Sequence, residues 1–262
     1  MRMKISIITV VFNDLIGFKR TFNSVITQTY KNLEFIVIDG GSSDGTAEFI
    51  SLNSDFFSKW TSGPDKGIYD AMNKGINLGT GEFAIFLNAG DCFYSNEILS
   101  EVVKNFNNPN AIYFGRALVD GETHDWLFPP IRYKKDNITL WLKNNVPNHQ
   151  AMFFPKSYYS RYKYNLALKI SSDKDYKLNA QKSFKIPFVF CDLIICKFNL
   201  GGISSSNKLK QSLIISKELW KLDTQYYSLN YAIKNQIKHY SKILLSNLFG
   251  KSLLNKILKK AK

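Results

Sequence analysis

The run from Lys4 to Phe12 is almost unbroken in apolar residues and rich in β-branched ones, the pattern of a strand covered on both faces. In Leu15–Gln28 the apolar positions fall at Ile16, Phe18, Phe22, Val25 and Ile26, which predicts an amphipathic helix. Leu33–Ile38 repeats the strand pattern and ends at Asp39. Gly40-Gly-Ser-Ser-Asp-Gly is a turn, and Thr46–Leu52 a short helix. Phe56–Ser62 holds a short third strand, and Ile68–Leu78 is helical and closed by Gly79. Glu82–Leu87 is a further strand that runs into Asn88-Ala-Gly-Asp91.

Strand–helix alternation with short connections implies βαβ units and a mostly parallel sheet. In such sheets ligands sit beyond the carboxyl ends of the strands. Asn13, Asp39 and Asp91 each follow a predicted strand, so they are expected on one rim. An aspartate after a strand is often only a turn former or a helix cap. Three polar groups in the same relative place favour a binding site. After Asp91 the pattern loosens. Ile98–Phe106 reads as helix, Ala111–Asp120 as strand, and Trp126–Lys143 as irregular.

Composition changes the picture in one respect. The 262 residues carry a formal charge of +14, with 45% hydrophobic residues, which excludes a disordered chain. From Ile203 onward there are 12 Lys against one Glu and one Asp, so +10 of the total belongs to the last 60 residues. The first 202 residues are close to balance, and the basic character says little about them. Cys92, Cys191 and Cys196 fit no zinc spacing and read as reduced thiols of a cytosolic protein. The apolar start stops at Asn13-Asp14 without a cleavage site and reads as a strand rather than a signal peptide. No segment reaches the roughly 18 uninterrupted apolar residues of a spanning helix; the most apolar, Ile186–Phe198, is broken by charges and Pro187.

The blocks Ser6-Ile-Ile-Thr-Val-Val-Phe-Asn13 and Val37-Ile-Asp-Gly-Gly-Ser-Ser-Asp-Gly-Thr46 resemble the family-2 inverting glycosyltransferases. Asp65-Lys-Gly-Ile-Tyr-Asp-Ala-Met-Asn-Lys-Gly75 and Phe86-Leu-Asn-Ala-Gly-Asp91 extend the likeness, toward the subgroup that builds bacterial exopolysaccharide and lipopolysaccharide. The resemblance covers about residues 4–205. It implies a GT-A-type, Rossmann-like α/β domain with a mostly parallel sheet over 1–205, followed by a basic helical tail over 206–262. The implied reaction moves a sugar from a UDP-, GDP- or dTDP-sugar to a hydroxyl of a saccharide acceptor, lipid-linked in such pathways.

The same likeness assigns residues. Thr9, Val11 and Asn13 line the nucleotide, and Asp39 accepts N–H groups of its base. Asp65 contacts the ribose or orders its loop, while Asp44 is read as a cap for the next helix. The metal motif falls on Asn88 and Asp91, where relatives carry more carboxylates. Asp91 alone then holds Mg2+ or Mn2+, with diphosphate oxygens and water completing an oxygen shell. Relatives have Arg where this chain has Met72; Lys66, and less well Lys74, are the local cations to replace it. Asp173 is the expected catalytic base, at the start of a helix capped by Ser171 or Ser172, with Asp175 on another face. His149 and Gln150 are expected near the donor phosphates, the metal or the acceptor. Gly201–Ser205 is expected to close over the diphosphate.

The tail carries Ile243, Leu244, Leu248, Leu253, Leu254, Ile257 and Leu258 among lysines. That pattern suits an interfacial helix on an anionic membrane, and equally a helix packed on protein. The expected location is therefore the cytoplasmic face of the plasma membrane. Two rival functions are weaker. A sugar-phosphate nucleotidyltransferase needs a Gly-rich, basic loop after the first strand, and Asn13–Phe18 is not one. A nucleic-acid binder is suggested by charge alone, in a tail without Arg and a chain without a recognised motif, so no nucleic acid is expected.

Overall fold

The structure is a computed structural model and describes residues 3–121, 124–199, 209–241 and 244. The described residues fall in two compact units, the first drawn from 1–167 and 172–202, the second from 168–171 and 203–262.

In the first unit the predicted alternation holds. Ile5–Val11 is strand β1, Leu15–Ile26 helix α1, Leu33–Asp39 β2, Thr46–Leu52 α2, Lys59–Ser62 β3, Ile68–Leu78 α3 and Phe83–Phe86 β4. β1 lies between β2 and β4, parallel to both, and β3 extends the parallel set beyond β2. Every residue of β1 is buried. Successive side chains of a strand point to opposite faces, and β1 feeds two cores accordingly. Ile5, Ile7 and Val11 join Phe18, Phe22 and Val25 of α1 on one face. Ile8 and Val10 join Tyr69, Met72 and Ile76 of α3 on the other. A Cβ at Gly75 would lie 2.4 Å from Ile8 Cγ2, so only glycine lets α3 approach β1 this closely. Under α1 the rings of Phe18, Phe22, Phe35, Phe49 and Phe57 meet largely edge to face. Truncating a central one, Phe22→Ala, is expected to cost about 3–5 kcal/mol.

The rest of this unit completes the sheet. Its elements are β5 (Cys92–Phe93), α4 (Ile98–Val102), β6 (Ile112–Asp120), β7 (Trp126–Phe128), α5 (Ile138–Leu142), β8 (Met152–Pro155), α6 (Lys156–Tyr159), α7 (Ser172–Leu178) and β9 (Phe188–Asn199). The strand order is β3-β2-β1-β4-β8-β6-β9-β5, with β7 on β6. The apolar run around Ile186–Phe198 is thus the 12-residue strand β9, parallel to β6. β8 runs antiparallel to β4. That reversal delivers the residues just before β8, a 3-10 turn at His149–Ala151, to the carboxyl end of β4. The segment expected to be irregular is ordered by buried Arg116, which donates to the carbonyls of Pro129, Pro130 and Tyr133 and to the Asp192 carboxylate.

In the second unit, α8 spans Leu209–Tyr226, and residues 229–241 are also helical. Asn235 donates to Asp223 and Gln236 to Ser216, joining the two helices. The division differs from a simple cut at 205/206, because 168–171 group with the second unit. The Glu218 carboxylate accepts the backbone N–H groups of Lys169, Ile170 and Ser171 in succession. The loop expected at Gly201–Ser205 and most of the leucine-rich stretch 243–258 lie outside the described residues.

Candidate active site

The carboxyl ends of β1, β2 and β4 carry the predicted rim. Asn13 sits at φ 48°, left-handed, which Asn tolerates better than most side chains. Its N–H donates to Ser42 Oγ (2.7 Å) and its Oδ1 accepts from Ser43 N (2.8 Å), so the two rim loops brace each other. Asp39 is buried. Its carboxylate accepts the hydroxyls of Ser42 and Ser62, both at 2.5 Å. Asp44 accepts from Leu15 N and from Thr46, tying α1 to the start of α2. Thr9 and Val11 are buried in the sheet below the rim, with the Thr9 hydroxyl donating to the Leu87 carbonyl.

In the segment Thr9 to Asn13, expected to line the nucleotide, the exposed apolar side chain is that of Phe12, just past β1. Phe12 is 64% exposed. A Cβ at Gly40 would lie 3.2 Å from its ring and 2.7 Å from an Asp65 carboxylate oxygen. Phe12 and Asp65 therefore flank a slot floored by Gly40, where any side chain would displace the Asp65 carboxylate. Asp65 also accepts from Gly67 N (2.7 Å), which shapes its own loop. Lys66 is exposed in that loop. Lys74 is turned to Asp70 (3.3 Å) and to the Pro64 carbonyl, and Met72 is fully buried in the core.

Beyond β4, the turn from Asn88 to Asp91 is held by α1. The Thr21 hydroxyl donates to the Asp91 carbonyl (2.7 Å) and accepts from Gly90 N (3.0 Å). Nothing in the spacing of the sequence pointed to Thr21, since its partners are 69 and 70 residues away. The Asp91 carboxylate accepts from Gln150 Nε2 at 3.2 Å. Asn88 Nδ2 lies 3.4 Å from His149 Nε2, and Asn88 Oδ1 is buried with no hydrogen-bond partner.

The other ring nitrogen of His149, Nδ1, lies 3.6 Å from Asp173 Oδ2. Asp173 opens α7, as expected, but Ser172 does not cap that helix: its hydroxyl is buried and unpartnered. The ion pair to Lys177 Nζ (2.9 Å), one turn along α7, and the Tyr69 hydroxyl (3.4 Å) complete the surroundings of Asp173. Burial alone would raise the Asp173 carboxyl. The Lys177 ammonium, and after it His149, reverse this and hold it well below the usual carboxylate range. Burial lowers the pKa of His149, favouring the neutral ring despite the nearby carboxylate. Lys177 was legible as an i, i+4 partner of Asp173, and Tyr69 was not. Cys191 and Cys196 are buried free thiols. Burial pushes Cys191 up to about 12 and Cys196 well above its ordinary value, which keeps both protonated.

In comparison with known proteins, the sequence pattern of Glycosyl transferase family 2 matches residues 6–193. The chain belongs to that family. This family-2 glycosyltransferase is 34% identical over 207 residues to an uncharacterised glycosyltransferase of Mycobacterium tuberculosis, covering 77% of each chain. It is 25% identical over 206 residues to a PGL/p-HBAD biosynthesis glycosyltransferase of Mycobacterium bovis, covering 76% of this chain and 75% of that one. Its fold matches a mannosyltransferase of Pyrobaculum calidifontis solved with GDP-Man and Mn2+ (TM-score 0.62, 13% identity, all of this chain and 75% of that one). It also matches TarS of S. aureus (TM-score 0.62, 13% identity), covering 95% of this chain and 44% of the TarS chain. The fold of the family-2 chain is GT-A-like, an α/β domain with a mostly parallel, curled sheet, and the enzyme is a glycosyltransferase.

Proposed function

We propose that this glycosyltransferase moves a sugar from a nucleoside-diphosphate donor to a hydroxyl of a saccharide acceptor, with inversion, and that Asp173 is the base. The observation that carries the reading is the state of Asp173, a carboxylate held ionised by Lys177. Asp173 accepts the proton of the acceptor hydroxyl, whose oxygen forms a bond to the anomeric carbon. The bond from that carbon to the donor diphosphate breaks on the opposite face, and the diphosphate leaves with the electron pair. A single displacement inverts the anomeric configuration and needs no covalent enzyme intermediate.

The nucleobase is read as lying on Phe12 above Gly40, with Asp39 and its two serines at its edge and Asp65 toward the ribose. Asn13, from the adjoining loop, and Lys66, as the nearby exposed cation, complete this donor surface. Among the described residues no group of three or more His, Cys, Asp or Glu is placed to hold a metal ion. Asp91 with the unpartnered Asn88 Oδ1 nonetheless offers hard oxygen donors, which suit Mg2+ or Mn2+ shared with a diphosphate. Such an ion, when bound, neutralises charge on the departing diphosphate. The test is transfer of radiolabelled sugar, from a panel of UDP-, GDP- and dTDP-sugars, to a lipid-linked acceptor by wild type and Asp173→Asn. Loss of transfer in the variant is expected, and full activity in the variant would overturn the base assignment.

The second unit supports a membrane-surface reading, with the anionic cytoplasmic leaflet as partner. Ile233, Ile237, Tyr240 and Leu244 recur at helical spacing and, with Trp220, line an apolar groove of about 670 Å³. Lys234 and Lys238 lie beside this row. No helix among the described residues is long and apolar enough to cross a membrane. Sedimentation of the full chain with phosphatidylserine vesicles is expected to fall in the Ile233→Glu/Ile237→Glu variant. Equal binding by both proteins would remove the role of this surface.

A further inference from the structure

His149 and Gln150 are consecutive residues with different clients. His149 faces Asp173 and Asn88, and Gln150 donates to Asp91. Both sit in the 3-10 turn that β8 carries to the carboxyl end of β4, so one short backbone segment touches the base on one side and the acidic turn on the other. The turn itself is anchored, with Gln150 and Ala151 buried and the Ala151 N–H donating to the Asn148 carbonyl.

We infer that His149 and Gln150 form a positioning pair that sets the separation of the base Asp173 from the leaving-group carboxylate Asp91. The inference rests on Asp173 being the base. In a single displacement the attacking and leaving oxygens lie on opposite faces of one carbon, so the groups serving them must keep a fixed spacing. Lys177 and His149 approach the same oxygen, Oδ2, while among the described residues Oδ1 has the longer Tyr69 contact. His149, with Lys177, thus holds Oδ2 and leaves Oδ1 for an incoming hydroxyl. The partners also set the imidazole's protons: the carboxylate suits Nδ1–H, and the Asn88 amide N–H suits a bare Nε2. With both nitrogens engaged, His149 has none to offer the donor phosphates. Its contacts of 3.4 and 3.6 Å are long for hydrogen bonds, as catalytic contacts often are before substrate binds.

The experiment compares full-length wild type, His149→Phe, His149→Gln, Asp173→Asn and the double variant His149→Phe/Asp173→Asn. Each is assayed for sugar transfer, and for binding of UDP, GDP and dTDP with Mn2+ by calorimetry. His149→Phe is expected to lower kcat by about 10- to 100-fold and to leave nucleotide affinity within about twofold. His149→Gln, which restores a donor toward Asp173, is expected to recover part of the loss. The double variant is expected to be no slower than Asp173→Asn. An unchanged kcat in His149→Phe beside an inactive Asp173→Asn overturns this inference alone. So does a large loss of nucleotide affinity, or losses that multiply in the double variant. Full activity in Asp173→Asn overturns the base assignment and this inference together. Should His149→Phe fail to fold, the His149→Gln pair with and without Asp173→Asn gives the same cycle.

Discussion

Lys177 Nζ lies 2.9 Å from Asp173 Oδ2, one turn along the same helix, and both side chains are largely withdrawn from water. The carboxylate is thereby favoured in its charged form by a cation that the chain supplies four residues later. For the base proposed above, this pairing trades basic strength for availability of the ionised form.

Removing the cation should show this. In Lys177→Met the burial of Asp173 is opposed only by His149, so its carboxyl titrates at higher pH. The limb due to Asp173 lies below the accessible pH range in wild type, and in Lys177→Met it is expected to enter the kcat/KM profile from the acid side. A variant profile identical to that of wild type down to the acid limit of folding would mean that Lys177 does not set the charge of Asp173.

A carboxylate at the far end of the sheet gives a stability prediction. Glu34, at the start of β2, accepts from Ser6, from Thr80 twice and from Gly81 N, and pairs with Lys4 at 2.9 Å. Burial would raise its pKa, but these partners lower it to about 2 from an ordinary 4.5. The folded value is depressed, so this stability is complete above about pH 4.5 and is lost as pH falls toward 2. Glu34→Gln is expected to lose about 2 kcal/mol at pH 7 and to flatten the acid slope in urea unfolding between those pH values.

The Phe12 slot predicts a binding phenotype. Gly40→Ala places a methyl against the Phe12 ring and pushes the Asp65 carboxylate aside. Donor KM is expected to rise about tenfold with a smaller change in kcat, and the melting temperature should move little. A fall in kcat at constant KM would remove the slot from donor binding.

Arg116 predicts a folding phenotype. It is buried, its guanidinium donates to three carbonyls and one carboxylate, and it lies over the Phe190 ring. Arg116→Met leaves those carbonyls without this donor and Asp192 with only the longer, exposed Lys134 pair at 3.6 Å. Thermal unfolding should report a loss of about 3 kcal/mol, larger than for Arg132→Met in the loop that Arg116 holds.

Much of this arrangement was readable in the sequence, and what was not has a common cause. β1, β2 and β4 pair through local βαβ units, so hydrophobic runs and turn residues mark them and the polar groups at their ends. β5 is two residues long and pairs with Cys196 and Lys197, about a hundred positions away. β8 is four residues long and is defined by β4 and β6 rather than by its own pattern. β9 was visible as an apolar run but carried no sign of its partner. At the site, the types of Asp173, His149 and Gln150 were visible. Their mutual orientation was not, because it follows from the antiparallel entry of β8.

The Glu34 cluster ties the starts of β1, β2 and the approach to β4 around a lysine-paired carboxylate, while at their far ends Asp39 and Asn13 hold serines of one loop and the Ser62 hydroxyl. Such a sheet is expected to open from its mouth before its root. Amide exchange in the apo enzyme should therefore be graded along each strand, slowest near Ser6 and Glu34. The end that opens most readily is the one through which substrates must pass.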